Sequence, residues 1–176
     1  NVGRNDHFGL ISAAGGTLNG TTWFDRTNYY ETVPANHLDT VLWLEADRMG
    51  GLLDALDQAN LDNQRDVVKN EKRQGENQPY GRAFSIIFEN LFPEGHPYAH
   101  SVIGSMEDLS AATVDDVAAF FKMYYAPNNA VIAIVGDVNA ATVVEKVKKY
   151  FGAIPRQPTP PSVDMSEPTP TTERRV

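Results

Sequence analysis

Residues 17–33, TLNGTTWFDRTNYYETV, decide between an all-helical chain and a mixed one. The stretch is rich in Thr, Tyr, Phe and Trp, which favour strands, and the polar pair Asp25 and Arg26 interrupts it in the middle. This pattern predicts two strands joined by a tight turn. Because the sequence on both sides has helical periodicity, we predict an α+β fold, a two-layer domain with helices packed on an antiparallel sheet.

The predicted hairpin lies between two helices. Phe8, Leu10, Ile11 and Ala14 recur at helical spacing, and Gly15-Gly16 is a helix stop signal. After Pro34, residues 35–53 place their apolar side chains largely on one side of a second helix. Three further helices are predicted, and they lie around Glu71, in residues 80–92, and in residues 113–125 with Thr113 as N-cap.

The C-terminal third contains a second strand signal. Residues 129–137, NAVIAIVGD, are continuously apolar and predict a strand buried on both faces, and residues 139–152 predict an amphipathic helix closed by Gly152. Six prolines occur within 155–176, where few residues could pack. We therefore predict one domain over residues 1–155 and a Pro-rich linker or tail over 156–176.

Composition excludes several classes of function. The formal net charge of −8 argues against partners that need clustered Lys and Arg, so we expect no nucleic-acid partner. No apolar run reaches the roughly 20 residues of a membrane span. Cysteine is absent, which removes thiolate chemistry and Cys-based zinc sites but assigns no compartment. The compartment stays open, and we favour an extracytoplasmic one.

Glu71 is an unusual acid within residues 62–81, which predict a charged helix running into a turn. The residues three and four positions away are Val67, Val68, Gln74 and Gly75, so no cation lies at salt-bridge spacing. Two interpretations remain open from the residues alone. Glu71 is either a solvated surface acid or a ligand-type carboxylate that needs a metal, a histidine or a backbone amide.

The four histidines are weak candidates for metal binding. His96 and His100 are four residues apart, but prolines and glycine in PEGHPYAH oppose the regular helix that such a pair of ligands needs. His7 and His37 have no acid or histidine at i+4 and are predicted to face solvent or to cap helices.

Five blocks of sequence resemble the N-terminal catalytic domain of the pitrilysin/insulinase family of zinc metalloproteases, which includes insulin-degrading enzyme and the mitochondrial processing peptidase. In family order they are AAGGTLNGTTWFDRTNYYETVP, LWLEADRM, QRDVVKNEKRQGENQPYG, FPEGHPY and YYAPNNAVIAIVGD. The resemblance covers roughly residues 1–155 and implies the processing-peptidase fold, an antiparallel sheet with helices packed on it.

The resemblance implies a zinc site of which this chain holds one ligand. In the family an H-x-x-E-H motif supplies two histidine ligands and the general-base glutamate, and a downstream helix supplies a third ligand at the position of Glu71. No H-x-x-E-H occurs in this chain. Its opening segment, NVGRNDHFGLI, resembles the family segment directly downstream of that motif. We therefore expect no catalytic residue within the chain and expect the general base upstream. Gln64 also stands where many relatives carry an acid.

The resemblance further implies peptide binding along a strand edge by Asn19 and Gly20. The complete protein is expected to be a zinc metalloendopeptidase that cleaves peptides or unfolded segments and contains a second homologous peptidase domain. The present chain is expected to be inactive and free of Zn²⁺. Two alternatives stay open, a non-catalytic family member acting as scaffold or recognition subunit, and a plain peptide-binding module. Substrate, cleavage preference and oligomeric state are not predicted.

Overall fold

Helices dominate the described residues, which are 6–166, Glu173 and Arg175 of the computed structural model. The helices are α1 (Asp6–Ala13), α2 (Leu38–Gly51), α3 (Gln58–Glu76), α4 (Ala83–Leu91), α5 (Met106–Ala111), α6 (Val114–Tyr124) and α7 (Ala140–Phe151). The strands are β1 (Thr17–Trp23) and β2 (Arg26–Thr32), and short 3₁₀ segments lie at Ala35–His37, Leu52–Ala55 and Pro127–Asn129. This mixture confirms the predicted α+β class.

The described chain divides into two compact units. The first contains residues 6–22, 26–57 and 114–160, and therefore α1, most of the hairpin, α2, α6 and α7. The second contains residues 23–25, 58–113 and 161–166, and therefore α3, α4 and α5.

The hairpin forms where the sequence predicts it. Strands β1 and β2 pair in a two-stranded sheet through a two-residue turn at Phe24 and Asp25. Gly15 and Gly16 make the preceding corner possible. Gly15 has φ of +76°, which glycine adopts without strain, and a Cβ on Gly16 would lie 2.6 Å from the carbonyl oxygen of Thr32.

Helices α2 and α7 form the core of the first unit. Leu42, Ala46 and Phe151 are buried together. Partly buried apolar side chains surround them, namely Leu38, Met49, Ile134, Val147, Tyr150 and Ile154. A polar contact joins the same two helices at the edge of this core, because Asp39 accepts hydrogen bonds from Lys146 and from the Tyr150 hydroxyl.

The predicted strand over residues 129–137 is the main correction to the sequence analysis. Within the described residues this segment belongs to no sheet, and Val131 and Val135 are each 96% exposed. Ile134 still packs on the α2–α7 core. A strand needs a hydrogen-bonding neighbour, and the described chain offers none here, so strand propensity yields only an extended segment with one face in contact.

The second unit is organised around aromatic rings and α3. The Phe24 ring lies 4.9 Å from Phe88 and 4.7 Å from Tyr98 between centroids, and the Tyr98 hydroxyl donates to Asp25 at 2.7 Å. Arg65 on α3 donates to the carbonyl oxygen of Ala112 just after α5. Helix α5, which sequence periodicity did not reveal, begins at Ser105, whose hydroxyl accepts from the Asp108 amide at 2.9 Å.

The Pro-rich segment has no helix or strand in residues 155–166. Its start is held by Asn128, whose side chain exchanges two hydrogen bonds with the Gln157 backbone, both of 3.1 Å. Beyond this point Val163 and Met165 remain exposed. Residues 167–172, 174 and 176 lie outside the described residues, so the predicted boundary at 155/156 stays a prediction.

We predict that limited proteolysis cuts first between Pro158 and Val176. The sequence of this segment contains few apolar groups that could offset the entropy of ordering it. Mass spectrometry of early fragments measures the order of cleavage. Early cleavage near Val131, with the tail intact, would contradict the proposed boundary.

Candidate functional site

Glu71 lies on the exposed surface of α3. Its neighbour Lys72 pairs instead with Glu76 at 2.8 Å, and Arg73 donates to Asn70 at 2.8 Å. Within the described residues the Glu71 side chain makes no hydrogen bond or ion pair. An exposed, unpaired carboxylate is what both interpretations of Glu71 require, a solvated surface acid and a metal ligand, so its ligand role stays a prediction.

Strand β1 presents Asn19 to solvent. The side chain of Asn19 is exposed, and its Oδ1 atom accepts a hydrogen bond from the Gly20 amide at 2.8 Å. Because the described sheet has only two strands, each strand has one edge without a neighbouring strand in it. The exposed strand is present as predicted, whereas the substrate-binding role of Asn19 and Gly20 stays a prediction. Asn19 and Glu71 belong to different units.

His96 and His100 lie in turns, as the prolines predicted. The His96 Nδ1 atom accepts from the Tyr98 amide at 3.0 Å, and its ring stacks on Phe92 at 4.5 Å between centroids. His100 Nδ1 lies 2.9 Å from the carbonyl oxygen of Ser101. These contacts are local and do not bring the two rings to a shared ligand.

His7 is where the structure corrects the sequence analysis. The sequence predicts that it faces solvent or caps a helix, but its Nε2 atom is buried and has no hydrogen-bond partner among the described residues. It lies 3.5 Å from Glu31 Oε1 and 3.7 Å from Glu45 Oε1. The three side chains come from α1, β2 and α2, and all three belong to the first unit. We call this group the His7 cluster.

Arg48 and Tyr29 border the His7 cluster. Arg48 donates to both oxygens of Glu45, through Nε at 3.3 Å and through Nη2. Its guanidinium carbon lies 3.5 Å from the centroid of the Tyr29 ring, a cation–π contact. The Tyr29 hydroxyl in turn lies 2.8 Å from that of Tyr125. Arg48 is thereby held in place and orients the Glu45 carboxylate.

The pKa values of the His7 cluster are shifted. Burial, a hydrogen bond with Glu45 and the charge of Glu45 raise the pKa of Glu31 to about 8, against a weaker opposing effect of Arg48. Burial also lowers the pKa of His7, against the raising effect of Glu45. At neutral pH the Glu31 carboxyl is therefore mostly protonated and the His7 imidazole is neutral.

Sequence reasoning missed the His7 cluster because its members are far apart in the chain. Helical spacing tests only neighbours three and four residues away, whereas 24 residues separate His7 from Glu31, as the residue numbers show. One signal was available in the sequence. Glu45 lies between two apolar residues, Leu44 and Ala46, both of which are buried on α2.

Comparison with known proteins assigns the class. The family model described as "Peptidase M16 inactive domain" matches residues 111–176. The zinc protease PqqE of Helicobacter pylori is 35% identical over 146 residues, which are 82% of this chain and 32% of that protein. A probable mitochondrial-processing peptidase subunit beta of Arabidopsis thaliana is 26% identical over 152 residues, 85% of this chain and 28% of that protein.

Solved structures agree with these relatives. A crystal structure of a protease from Helicobacter pylori superimposes with a TM-score of 0.82 at 32% identity, over 98% of this chain and 40% of that one. The ferredoxin protease FusC, as an E83A mutant in complex with Arabidopsis ferredoxin, gives a TM-score of 0.73 at 25% identity, over 86% of this chain and 17% of that one.

The fold and the relatives together define a peptidase domain of the zinc-protease class. The chain belongs to the M16 family of peptidases, the pitrilysin/insulinase family. It spans about one third of the length of the curated relatives that it matches. None of its helices within the described residues is long and apolar enough to cross a membrane.

Proposed function

We propose that the chain is part of a zinc-dependent metalloendopeptidase in which Glu71 is the third zinc ligand. The observation that carries the proposal is the carboxylate of Glu71, which is exposed on α3 and has no partner among the described residues. Its position in QRDVVKNE matches the ligand position of the family, and relatives are zinc proteases.

The donor set of this chain fits the zinc site only in part. Glu71 supplies one anionic oxygen, and two histidines and a general base are expected from an H-x-x-E-H motif upstream of Asn1. When bound, zinc would activate a water molecule and polarise the scissile carbonyl group. A single exposed carboxylate does not bind zinc tightly, so we expect no zinc at Glu71 in the present chain.

In this proposal, the role of helix α3 is to hold Glu71 in position. The helix is 19 residues long, and the Lys72–Glu76 pair and the Arg65–Asp62 pair at 2.7 Å lie along it. Gln64 stands two turns before Glu71, so no carboxylate at that position can assist. Zinc analysis and a peptide-cleavage assay test this assignment, in the protein extended upstream of Asn1 and in its Glu71→Gln variant.

The proposed substrate is a peptide or an unfolded segment bound in extended form. Strand β1 is exposed, and its unpaired edge can hydrogen-bond an added strand through the main chain, which gives affinity with little dependence on sequence. Since the chain covers about one third of its relatives, we also propose that the complete protein contains a second homologous peptidase domain as partner.

We predict that Asn19→Ala, in the extended protein, lowers kcat/KM for peptides by about 10-fold. The exposed amide makes a positioning hydrogen bond and buries little area, so the free energy of unfolding should change by less than about 0.5 kcal/mol. Asn28→Ala is the matched control, because Asn28 is an exposed asparagine on β2. Equal kinetics of the two variants would contradict the role of Asn19.

A non-catalytic scaffold or peptide-binding subunit is the second candidate. Two observations favour it, namely that no H-x-x-E-H occurs in these 176 residues and that the family model matching residues 111–176 is described as an inactive domain. That match does not include Glu71. Reading the residues encoded before Asn1 discriminates the two, because H-x-x-E-H there supports the peptidase and its absence supports the scaffold.

A further inference from the structure

The His7 cluster gathers three metal-ligand atoms around one point. His7 Nε2, a Glu31 oxygen and a Glu45 oxygen all lie within 4.8 Å of one another. The side chains are largely enclosed, with exposed fractions of 23%, 8% and 19%. This group is separate from Glu71, which belongs to the other unit.

The distances from His7 to the two carboxylates suit a coordinated cation better than direct hydrogen bonds. Two ligand atoms bound tetrahedrally at about 2.0–2.1 Å from a metal lie about 3.3 Å apart, and His7 Nε2 is 3.5 and 3.7 Å from the two carboxylate oxygens. Hydrogen bonds between nitrogen and oxygen span about 2.7–3.2 Å. The imidazole nitrogen is thus unpaired in the described chain and points toward two carboxylates that are slightly too distant.

A cation would resolve two unfavourable features at once. A buried nitrogen without a partner is unfavourable, and two carboxylates enclosed side by side repel each other, while Arg48 contacts only one of them, Glu45. A divalent ion would accept the imidazole lone pair and bind an oxygen of each carboxylate. Arg48, which binds Glu45 chiefly through the oxygen facing away from His7, would hold that ligand in orientation.

We propose that His7, Glu31 and Glu45 bind a divalent transition-metal ion, with Zn²⁺ preferred, in a structural site that cross-links α1, β2 and α2. One imidazole and two carboxylates favour Zn²⁺ over Mg²⁺ or Ca²⁺, which take all-oxygen sites. This site revises the expectation that the chain is free of zinc, an expectation that considered Glu71 alone. It does not depend on the proposed peptidase function.

The test is a calorimetric titration. The 176-residue chain is first freed of metal with a chelator and is then titrated with ZnCl₂, with MgCl₂ as comparison. We expect one equivalent of Zn²⁺ and a higher Tm, no comparable Mg²⁺ binding, and at least about 10-fold weaker Zn²⁺ binding in His7→Gln and Glu45→Gln. Glu71→Gln and His100→Gln are matched controls, since His100 is exposed in the other unit, and both should bind Zn²⁺ as the original chain does.

Cobalt provides a readout that does not rely on variants folding. Co²⁺ bound to the original chain should give the visible absorption of a low-coordinate site with nitrogen and oxygen ligands, and excess Zn²⁺ should displace it. Absence of stoichiometric Zn²⁺ binding, or binding that is unchanged in a folded His7→Gln variant, would overturn the proposal. Loss of binding in Glu71→Gln would assign the metal to Glu71 and would also overturn it.

Discussion

Glu71→Gln, in the protein extended to include the segment before Asn1, is expected to lose one equivalent of zinc and at least about 100-fold in kcat/KM. The amide is a neutral and poor ligand, whereas carboxylates bind zinc directly. Loss of a group that merely supports a metal ligand already costs about 10–100-fold, so a ligand itself should cost no less. The extended protein should gain zinc and peptidase activity relative to the present chain.

The matched control for this variant is Glu76→Gln. Glu76 is an exposed glutamate on α3, and its pairing with Lys72 is a solvent-screened surface ion pair that contributes little to stability. Zinc content by mass spectrometry and cleavage of an unstructured peptide give the two readouts. Full activity in the Glu71→Gln variant, or equal losses in both variants, would show that Glu71 is not the ligand. An extended protein that shows no peptidase activity and binds no more zinc than the present chain would favour the scaffold.

Glu31→Gln is expected to stabilise the metal-free chain by about 2 kcal/mol at pH 9. The pKa of Glu31 is raised from 4.5 to about 8, mainly by burial and secondly by Glu45. At about 1.4 kcal/mol for each pKa unit, this sets an upper limit near 5 kcal/mol, which relaxation around the charge reduces. The glutamine is neutral at every pH, and its amide can donate to Glu45 as the protonated acid does.

The pH dependence is set by the direction of that shift. A carboxyl whose pKa is higher in the folded state binds its proton more tightly there, so its contribution to stability is complete below pH 4.5 and is lost as pH rises through 8. The loss between pH 7 and pH 9 is about 1.4 kcal/mol. The pKa of His7 is lowered from 6.5, so His7 is neutral throughout this window and does not contribute.

Urea unfolding in the presence of a chelator measures this effect at pH 7, 8 and 9. The original chain should lose stability relative to Glu31→Gln over that range. The difference between the two free energies of unfolding removes the contribution of groups that titrate alike in both proteins. Glu145→Gln is the control, since that glutamate is exposed on α7 and pairs only with Lys148 at 2.8 Å. Parallel pH profiles of the original chain and Glu31→Gln would refute the raised pKa of Glu31.

Local pattern accounts for most of the secondary structure. The Thr- and Tyr-rich stretch with its Asp25 turn forms β1 and β2, and Gly15-Gly16 ends the helix before it. These signals work because strand propensity, turn chemistry and helix stop signals act over a few residues. The predicted strand over residues 129–137 was wrong because a strand also needs a second segment to pair with. Local sequence pattern does not show whether such a segment is present.

The two candidate ligand groups show the same contrast between local pattern and tertiary packing. Glu71 stood out within its own helix, because no cation lies three or four residues away, and no described residue pairs with its side chain. Its ligand role came from the family resemblance and stays a prediction. His7, Glu31 and Glu45 had no such signal. Their burial and their separations of 3.5 and 3.7 Å arise only when α1, β2 and α2 pack together, since side chains far apart in sequence meet through tertiary contacts alone.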